Sequence, residues 1–172
     1  MRALVYGLAA ALAAAGTVLA AQALERKPSV YTDGLYGFSI QAPAFPKAGK
    51  GSNVVPAILL GPAHGGFSSN VNVMIQHVVT TRDAYRQLSL GQMKAAGFKV
   101  LSDRDETVSG KEAIRCDYEG SQAGRDLRFL VLAVMDGDRV FLVTCTALKD
   151  EFGDYQKEFE ACLGSFKLIS QP

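Results

Sequence analysis

The sequence has no tryptophan, two histidines and three cysteines among its 172 residues. His64 lies in a Gly-rich stretch and His77 lies near the end of an apolar strand, and neither has a metal-binding or hydrolytic motif around it. There is no GxSxG elbow, no GxxxxGK[ST] or GxGxxG phosphate loop and no CxxC pair. The sequence therefore predicts no catalytic residue, metal site or cofactor, and favours a protein that is not an enzyme. The open alternatives are a hydrolase that uses one histidine and a metal site that joins both to a carboxylate.

Long runs of one charge are also absent. The chain has 18 basic and 17 acidic residues. Removal of residues 1–23 would take away only one charged side chain, Arg2, so the remaining chain would be formally neutral. A protein that binds nucleic acid or an anionic membrane surface needs a basic face. The balance of charge therefore predicts neither kind of partner.

The longest apolar run is at the N-terminus, where Arg2 precedes an Ala-rich stretch that ends in Ala21-Gln22-Ala23. One early cation, an apolar segment and small residues at positions −3 and −1 are typical of a secretory signal peptide. We expect residues 1–23 to be removed by cleavage after Ala23, and residues 24–172 to form one domain that is periplasmic or secreted and has no membrane segment. The alternative is an uncleaved anchor, since the run is about long enough to cross a bilayer.

The rest of the chain reads as short strands with two helices. Two strands flank an Asp33-Gly34 turn, and residues 71–79 form another strand in which Val71, Val73, Ile75 and His77 point to one face. Residues 98–101 and 106–108 are predicted to be two short strands. A loop at 47–53 and a Gly-rich loop at 62–70 separate the early strands. Thr80-Thr81-Arg82-Asp83 predicts the start of a helix that Gly97 ends.

The stretch from Leu127 to Phe166 organises the fold. It contains two apolar strands joined by an Asp136-Gly137 turn, and then a helix that ends at Gly164. The helix carries apolar side chains at spacings of three and four, which are Phe152, Tyr155, Phe159, Cys162 and Phe166. Because the first strand is apolar on both faces, it must be covered on both faces. We predict an α+β fold, an antiparallel sheet flanked by helices on both faces.

The three cysteines of an exported chain predict one disulfide and one free thiol. If the strands 112–119, 126–134 and 139–147 form a meander, Cys116 and Cys145 are two strand spacings apart, about 9–10 Å. A disulfide requires Cα atoms within about 7 Å. Cys162 therefore pairs with one of them, and we predict Cys145–Cys162 because the last helix follows that strand directly. Cys116–Cys162 and three free thiols are the alternatives.

Several segments together resemble the Mog1/PsbP-like superfamily, in particular its small exported bacterial members. These segments are YGFSIQAP, NVNV, TVSGKEAIRCDYEG, VFLVTCTAL and FGDYQKEFEACLGSFK, which span residues 31–166. The resemblance implies an α/β/α sandwich and a non-enzymatic accessory or partner-binding role. It carries no functional residue over to this chain.

Loops held by a rigid scaffold concentrate binding groups. We therefore expect the binding surface at the loops 62–70 and 120–125, with Phe67 as a candidate contact. The leading hypothesis is a non-enzymatic domain that binds an unidentified protein of the bacterial cell envelope. The alternative is a carrier that holds a small apolar ligand or lipid between sheet and helix.

Overall fold

The computed structural model describes residues 30–43, 47–50, 57–64 and 66–169. The predicted signal peptide and its cleavage site at Ala23 lie outside the described residues. Within these ranges, no helix is long and apolar enough to cross a membrane.

Ten strands and two helices make up the described chain. In order they are β1 (Val30–Asp33), β2 (Phe38–Gln41), β3 (Lys47–Lys50), β4 (Ala57–His64), β5 (Phe67–His77), α1 (Arg82–Ala95), β6 (Lys99–Val108), β7 (Lys111–Gln122), β8 (Arg125–Asp136), β9 (Arg139–Leu148), α2 (Phe152–Gly164) and β10 (Lys167–Leu168).

The strands form two antiparallel sheets. The large sheet has the order β3-β4-β5-β9-β8-β7-β6, and the small sheet has the order β1-β2-β10. The predicted meander of β7, β8 and β9 is confirmed, because Cys116 pairs with Val131 and Leu130 pairs with Cys145. These three strands lie at the centre of the large sheet and carry most of its buried side chains.

Each face of the large sheet has its own apolar core. Helix α1 covers one face, where Tyr85 and Met93 pack in a cluster with Cys116, Tyr118 and Phe129. Helix α2 and the small sheet cover the other face, in a second cluster of side chains that includes Val71, Val143, Cys145, Phe159, Cys162 and Phe166. The predicted covering of the sheet by helices on both faces is confirmed.

Local signals placed the start of α1 and the β8–β9 turn within one residue. Helix α1 begins after Thr81 and not after Thr80, because the Thr81 hydroxyl accepts the Ala84 N–H at 3.2 Å. The β8–β9 turn is Gly137-Asp138, one residue later than predicted, and Gly137 takes the positive φ of 66° that the turn requires. Both helix ends, at Gly97 and Gly164, fall where the sequence predicted them.

Three loop predictions were wrong. Residues 47–50 form strand β3, although they carry small and basic residues. The stretch 62–70 is mostly hairpin, since β4 extends to His64 and β5 starts at Phe67. The two short strands predicted around residues 98–108 are one strand, β6, with a register shift between Val100 and Ser102.

Candidate functional site

The two segments predicted to form the binding surface meet at one end of the large sheet. The Arg125 side chain donates a hydrogen bond from Nη2 to the carbonyl oxygen of Gly66 at 3.2 Å. This contact joins the β4–β5 turn to the β7–β8 turn, which are 59 residues apart in the chain. The two turns are therefore neighbours, and that they bind a partner stays a prediction.

The structure places the two histidines at opposite ends of the large sheet. Phe67 is 8% exposed and packs into the α1-side core, so this candidate is a core residue and not an exposed contact. His64 ends β4, and its side chain lies outside the described part of the structure. His77 is exposed at the far end of β5, where it pairs with Arg139 of β9.

A buried polar array lies on the α1 side of β5 and β9. Asn70 is the cross-strand partner of Thr146, and Asn72 is the partner of Thr144. Directly opposed residues on antiparallel strands point to the same face. All four side chains are at most 5% exposed, so uncharged hydrogen-bonding groups occupy part of a face that is otherwise apolar.

Exposed apolar side chains occur at the opposite end of the sheet. Leu35 in the β1–β2 turn is 76% exposed, and Val79 after β5 is 85% exposed. We call these two residues the apolar tip. The Asp33 carboxylate accepts the N–H groups of Leu35 and Tyr36, both at 3.0 Å, and thereby fixes the turn.

Two further hydrogen bonds hold the apolar tip to the large sheet. The Arg139 side chain donates from Nη1 to the Tyr36 carbonyl at 3.2 Å. The N–H of Val78 donates to the Asp138 carbonyl at 2.8 Å. Leu35 and Val79 are therefore displayed from backbone that is anchored around the β8–β9 turn, and not from loose loops.

Ion pairs fasten α1 to the edge strand β6. The Arg86 guanidinium contacts Asp103 at 3.1 Å and also bonds to Asp105, and Arg82 contacts Asp105 at 3.1 Å. The hydrogen bond from Arg86, with the nearby charge of Arg82, holds the pKa of the Asp105 carboxyl below its usual value. These charges belong to a structural clamp, since each is paired with a neighbour.

Arg115 is a buried cation on the α2 side of β7. Its side chain is 5% exposed and donates from Nε to Glu106 at 3.1 Å, and its Nη1 lies 3.6 Å from Glu160. Arg104 is its direct cross-strand partner and donates to the same Glu106 oxygen at 3.0 Å. One carboxylate thus separates two like charges that would otherwise repel each other.

The three cysteines are buried free thiols in this structure. Cys145 and Cys162 lie together in the α2-side core, while Cys116 lies in the α1-side core. No sulfur–sulfur bond joins the first two, so the Cys145–Cys162 disulfide stays a prediction. The alternative pairing of Cys116 with Cys162 would have to cross the sheet.

The chemistry of these groups is that of a packed scaffold. Burial, reinforced by Asp103 and Asp117, raises the pKa of Cys116 to about 12, and burial raises the pKa of Tyr118 as well. A thiol that stays protonated is a poor nucleophile. Among the described residues, no group of three or more His, Cys, Asp or Glu side chains could hold a metal ion.

Comparisons with known proteins agree on the architecture. No protein-family model matches the chain, and no curated protein matches it. Among solved structures, the cyanobacterial PsbP (CyanoP) of Synechocystis sp. PCC 6803 superposes with a TM-score of 0.60 at 13% identity, over 90% of this chain and 100% of that one. The fold is PsbP-like.

Two other structures share this PsbP-like fold. LpqN of Mycobacterium tuberculosis, described as involved in cell envelope biogenesis, has a TM-score of 0.61 at 16% identity, over 84% of this chain and 91% of that one. PA94 of Pseudomonas aeruginosa, a protein of unknown function, has a TM-score of 0.60 at 17% identity, over 84% and 98%. The resemblance to the Mog1/PsbP-like superfamily is thus confirmed at the level of the fold.

Proposed function

We propose that this chain is a non-enzymatic domain of the bacterial cell envelope that binds a protein partner through the apolar tip. The observation that carries the proposal is the exposure of Leu35 and Val79 on backbone anchored by Arg139 and Asp138. Ordered apolar side chains that face solvent at one end of a sheet suit a protein contact. The signal-peptide pattern of residues 1–23 supports a periplasmic or secreted location, and a PsbP-like neighbour is described as acting in cell envelope biogenesis.

The alternative of an apolar-ligand carrier receives no support from the layers beside the sheet. Between α2 and the sheet, Cys145, Phe159, Cys162 and Leu163 are at most 1% exposed and pack in one cluster. On the α1 side, Asn70, Asn72, Thr144 and Thr146 make part of the face of β5 and β9 polar. An apolar ligand would have to displace packed side chains or cover amide and hydroxyl groups, which costs free energy.

Site-specific photo-crosslinking in the native cells tests the partner proposal. A photo-reactive amino acid is placed at Leu35 or at Val79 of the full-length precursor, and at Val30 as the control. Val30 is 68% exposed in β1 but lies at the other end of that strand. We expect one and the same envelope protein to be crosslinked from positions 35 and 79, and not from position 30.

A double variant completes the test. Leu35→Ser with Val79→Ser should abolish capture of that protein, whereas Val30→Ser should leave capture unchanged. Crosslinks that join only two copies of this chain would show a self-association surface and overturn the proposal, as would the absence of any crosslink.

A further inference from the structure

Strand β6 is the last strand of the large sheet, and β7 is its only strand partner in the described part of the chain. An edge strand presents unpaired backbone N–H and C=O groups to which a further strand can bind. Proteins often prevent such binding with unpaired charges on the edge. The carboxylates of Asp103, Asp105 and Glu106 are instead paired with arginines of the same chain, so they do not protect the edge in this way.

The length of β6 that is available to another strand is limited on both sides. A register shift between Val100 and Ser102 interrupts the ladder with β7, and such an irregularity bends the strand. The β6–β7 turn ends the strand on the other side. The regular segment between them is Ser102–Val108, and its midpoint is Asp105. A second copy that pairs antiparallel over the whole segment therefore places its own Asp105 opposite this one.

The charges of this segment match in the register that the geometry selects. Directly opposed residues of antiparallel strands point to the same face. With the two copies of Asp105 opposed, Arg104 of each copy lies opposite Glu106 of the other. Sliding the register to the next position that keeps the faces would oppose Arg104 to Arg104 in one direction and Glu106 to Glu106 in the other. Only the register centred on Asp105 sets opposite charges against each other.

The groups that would meet at the centre are neutralised or able to reach across. Each Asp105 carboxylate bonds to Arg86 and lies 3.1 Å from Arg82 of its own chain, so the two carboxylates do not oppose each other as free charges. The side chain of Arg104 is 55% exposed and that of Glu106 is 23% exposed. Two copies would therefore bring two arginines and two glutamates into one alternating ring, the self-complementary pattern that two-fold symmetry requires.

We propose that two copies of this chain bind each other through β6, antiparallel and with Asp105 at the two-fold axis. The two large sheets then become one continuous sheet. The occupant of the edge is a second copy because Ser102–Val108 is complementary to itself in length and in charge at the same register. The proposal uses no residue of the apolar tip, so it and the partner proposal can fail separately.

Sedimentation velocity of the exported protein over a range of concentrations tests the association, and we expect a concentration-dependent dimer. Arg104→Glu would place a like charge opposite each Glu106 of the other copy, and it should raise the dissociation constant at least about tenfold. Lys99→Glu makes the same change of charge on β6 outside the regular segment, and it should associate like the parent. Circular dichroism checks that both variants are folded.

A single introduced cysteine tests the register. Directly opposed residues have Cα atoms about 4.5–5.5 Å apart, which is within reach of a disulfide. Asp105→Cys should therefore give a dimer linked through position 105 under mild oxidation, and non-reducing peptide mapping detects the bond. Thr107→Cys provides the control, because the two positions 107 would be roughly 14 Å apart and should not be linked.

Three results would overturn the inference. One is a protein that stays monomeric at every concentration. The second is association that Arg104→Glu leaves unchanged, or a cross-link that Thr107→Cys forms as readily as Asp105→Cys. The third is a disulfide that joins Asp105→Cys to a different protein in the native cells, which would give the edge of β6 another occupant.

Discussion

Cys145 of β9 and Cys162 of α2 lie in the same core between α2 and the sheet, where burial, together with the neighbouring Cys162 thiol, raises the pKa of Cys145. Cys116, on the neighbouring part of the same sheet, faces the other way and lies under α1. The alternation of side chains along β7 and β9, combined with the docking of α2, thus sorts three cysteines into one close pair and one isolated thiol.

We predict that the exported protein carries a Cys145–Cys162 disulfide. Both side chains are at most 1% exposed, so the bond should form while the chain folds, before α2 is docked. Closing this short loop should raise the free energy of unfolding by about 3 kcal/mol. Non-reducing peptide mapping detects the bond. Urea denaturation with and without reductant measures its contribution to the free energy of unfolding. Cys116→Ala should keep the bond, and a Cys116–Cys162 peptide would refute the pairing.

The isolated thiol predicts a dependence of stability on alkaline pH. Burial, reinforced by Asp103 and Asp117, raises the pKa of Cys116 from its ordinary value of 9.0 to about 12. Between these values the unfolded chain loses the thiol proton and the folded chain keeps it. The contribution of Cys116 is therefore complete below pH 9 and falls by about 1.4 kcal/mol per pH unit above it.

Urea denaturation of the parent and of Cys116→Ala from pH 7 to pH 10.5 checks whether the contribution of Cys116 to stability falls as the pH rises. The difference between the two free energies of unfolding should be constant up to about pH 9 and should then shrink as the pH rises. A constant difference over the whole range would mean that Cys116 ionises as readily in the folded chain as in the unfolded one.

Gly120 is predicted to be intolerant of a side chain. A Cβ atom at this position would lie 2.8 Å from Cε1 of Phe98 and closer still to its Cδ1. The Phe98 ring packs edge-on against Tyr118 and Phe129, with centroid separations of 5.5 and 5.7 Å, and so has little freedom to move. Gly120→Ala should lower the free energy of unfolding by about 1–3 kcal/mol.

Gly91, in the middle of α1, provides the matched control. A Cβ atom there would meet nothing within 4 Å. Gly91→Ala should therefore stabilise the protein by about 0.5–1 kcal/mol, because alanine favours the helix. Thermal denaturation of the two variants should give shifts of opposite sign, and equal shifts would contradict the packing described for Phe98.

Glu106 is predicted to matter because it is shared by Arg104 and the buried Arg115. Glu106→Gln would remove the negative charge between two cations, and we expect a loss of about 2 kcal/mol in the free energy of unfolding. Adding Arg115→Met to this variant should restore most of the loss, because no buried cation then remains without a countercharge.

Glu112 provides the control, because its exposed side chain forms an ion pair with Arg82. Glu112→Gln should therefore change the free energy of unfolding by less than about 0.5 kcal/mol. A double variant as unstable as Glu106→Gln alone would contradict this account.

The layers of this fold could be predicted from the sequence because the signals are local. Apolar side chains at every second position from Val71 to Ile75 predict a strand, and the two-sided apolar character of β8 requires a sheet with two buried faces. Gly97 and Gly137 mark the ends of elements because they take positive φ values of 77° and 66°, a glycine preference that does not depend on the rest of the chain.

The prediction of β6 failed because its stability comes from contacts distant in sequence. Residues 102–106 read Ser-Asp-Arg-Asp-Glu, which has low strand propensity. In the structure Asp103 and Asp105 pair with Arg86 of α1, and Glu106 pairs with Arg115 of β7. A charged segment becomes a ten-residue edge strand because its partners are supplied by other elements.

The candidate surfaces could likewise be predicted only in part from the sequence. The segments NVNV and VFLVTCTAL belong to the family resemblance, but the pairing of Asn70 with Thr146 and of Asn72 with Thr144 depends on the β5–β9 register. The link from Arg125 to Gly66 has no signal in the sequence. Val79 had been assigned to a strand, and only the structure shows that it follows the end of β5 and is exposed.

Strand β8 belongs to both cores at once. Leu130, Leu132 and Val134 face α2, and Phe129, Val131 and Ala133 face α1, all of them nearly inaccessible to solvent. Loosening of one layer must therefore disturb the backbone on which the other is built. The two layers should melt together as one cooperative unit, and the amide hydrogens of β8 should be the last in the chain to exchange with deuterium.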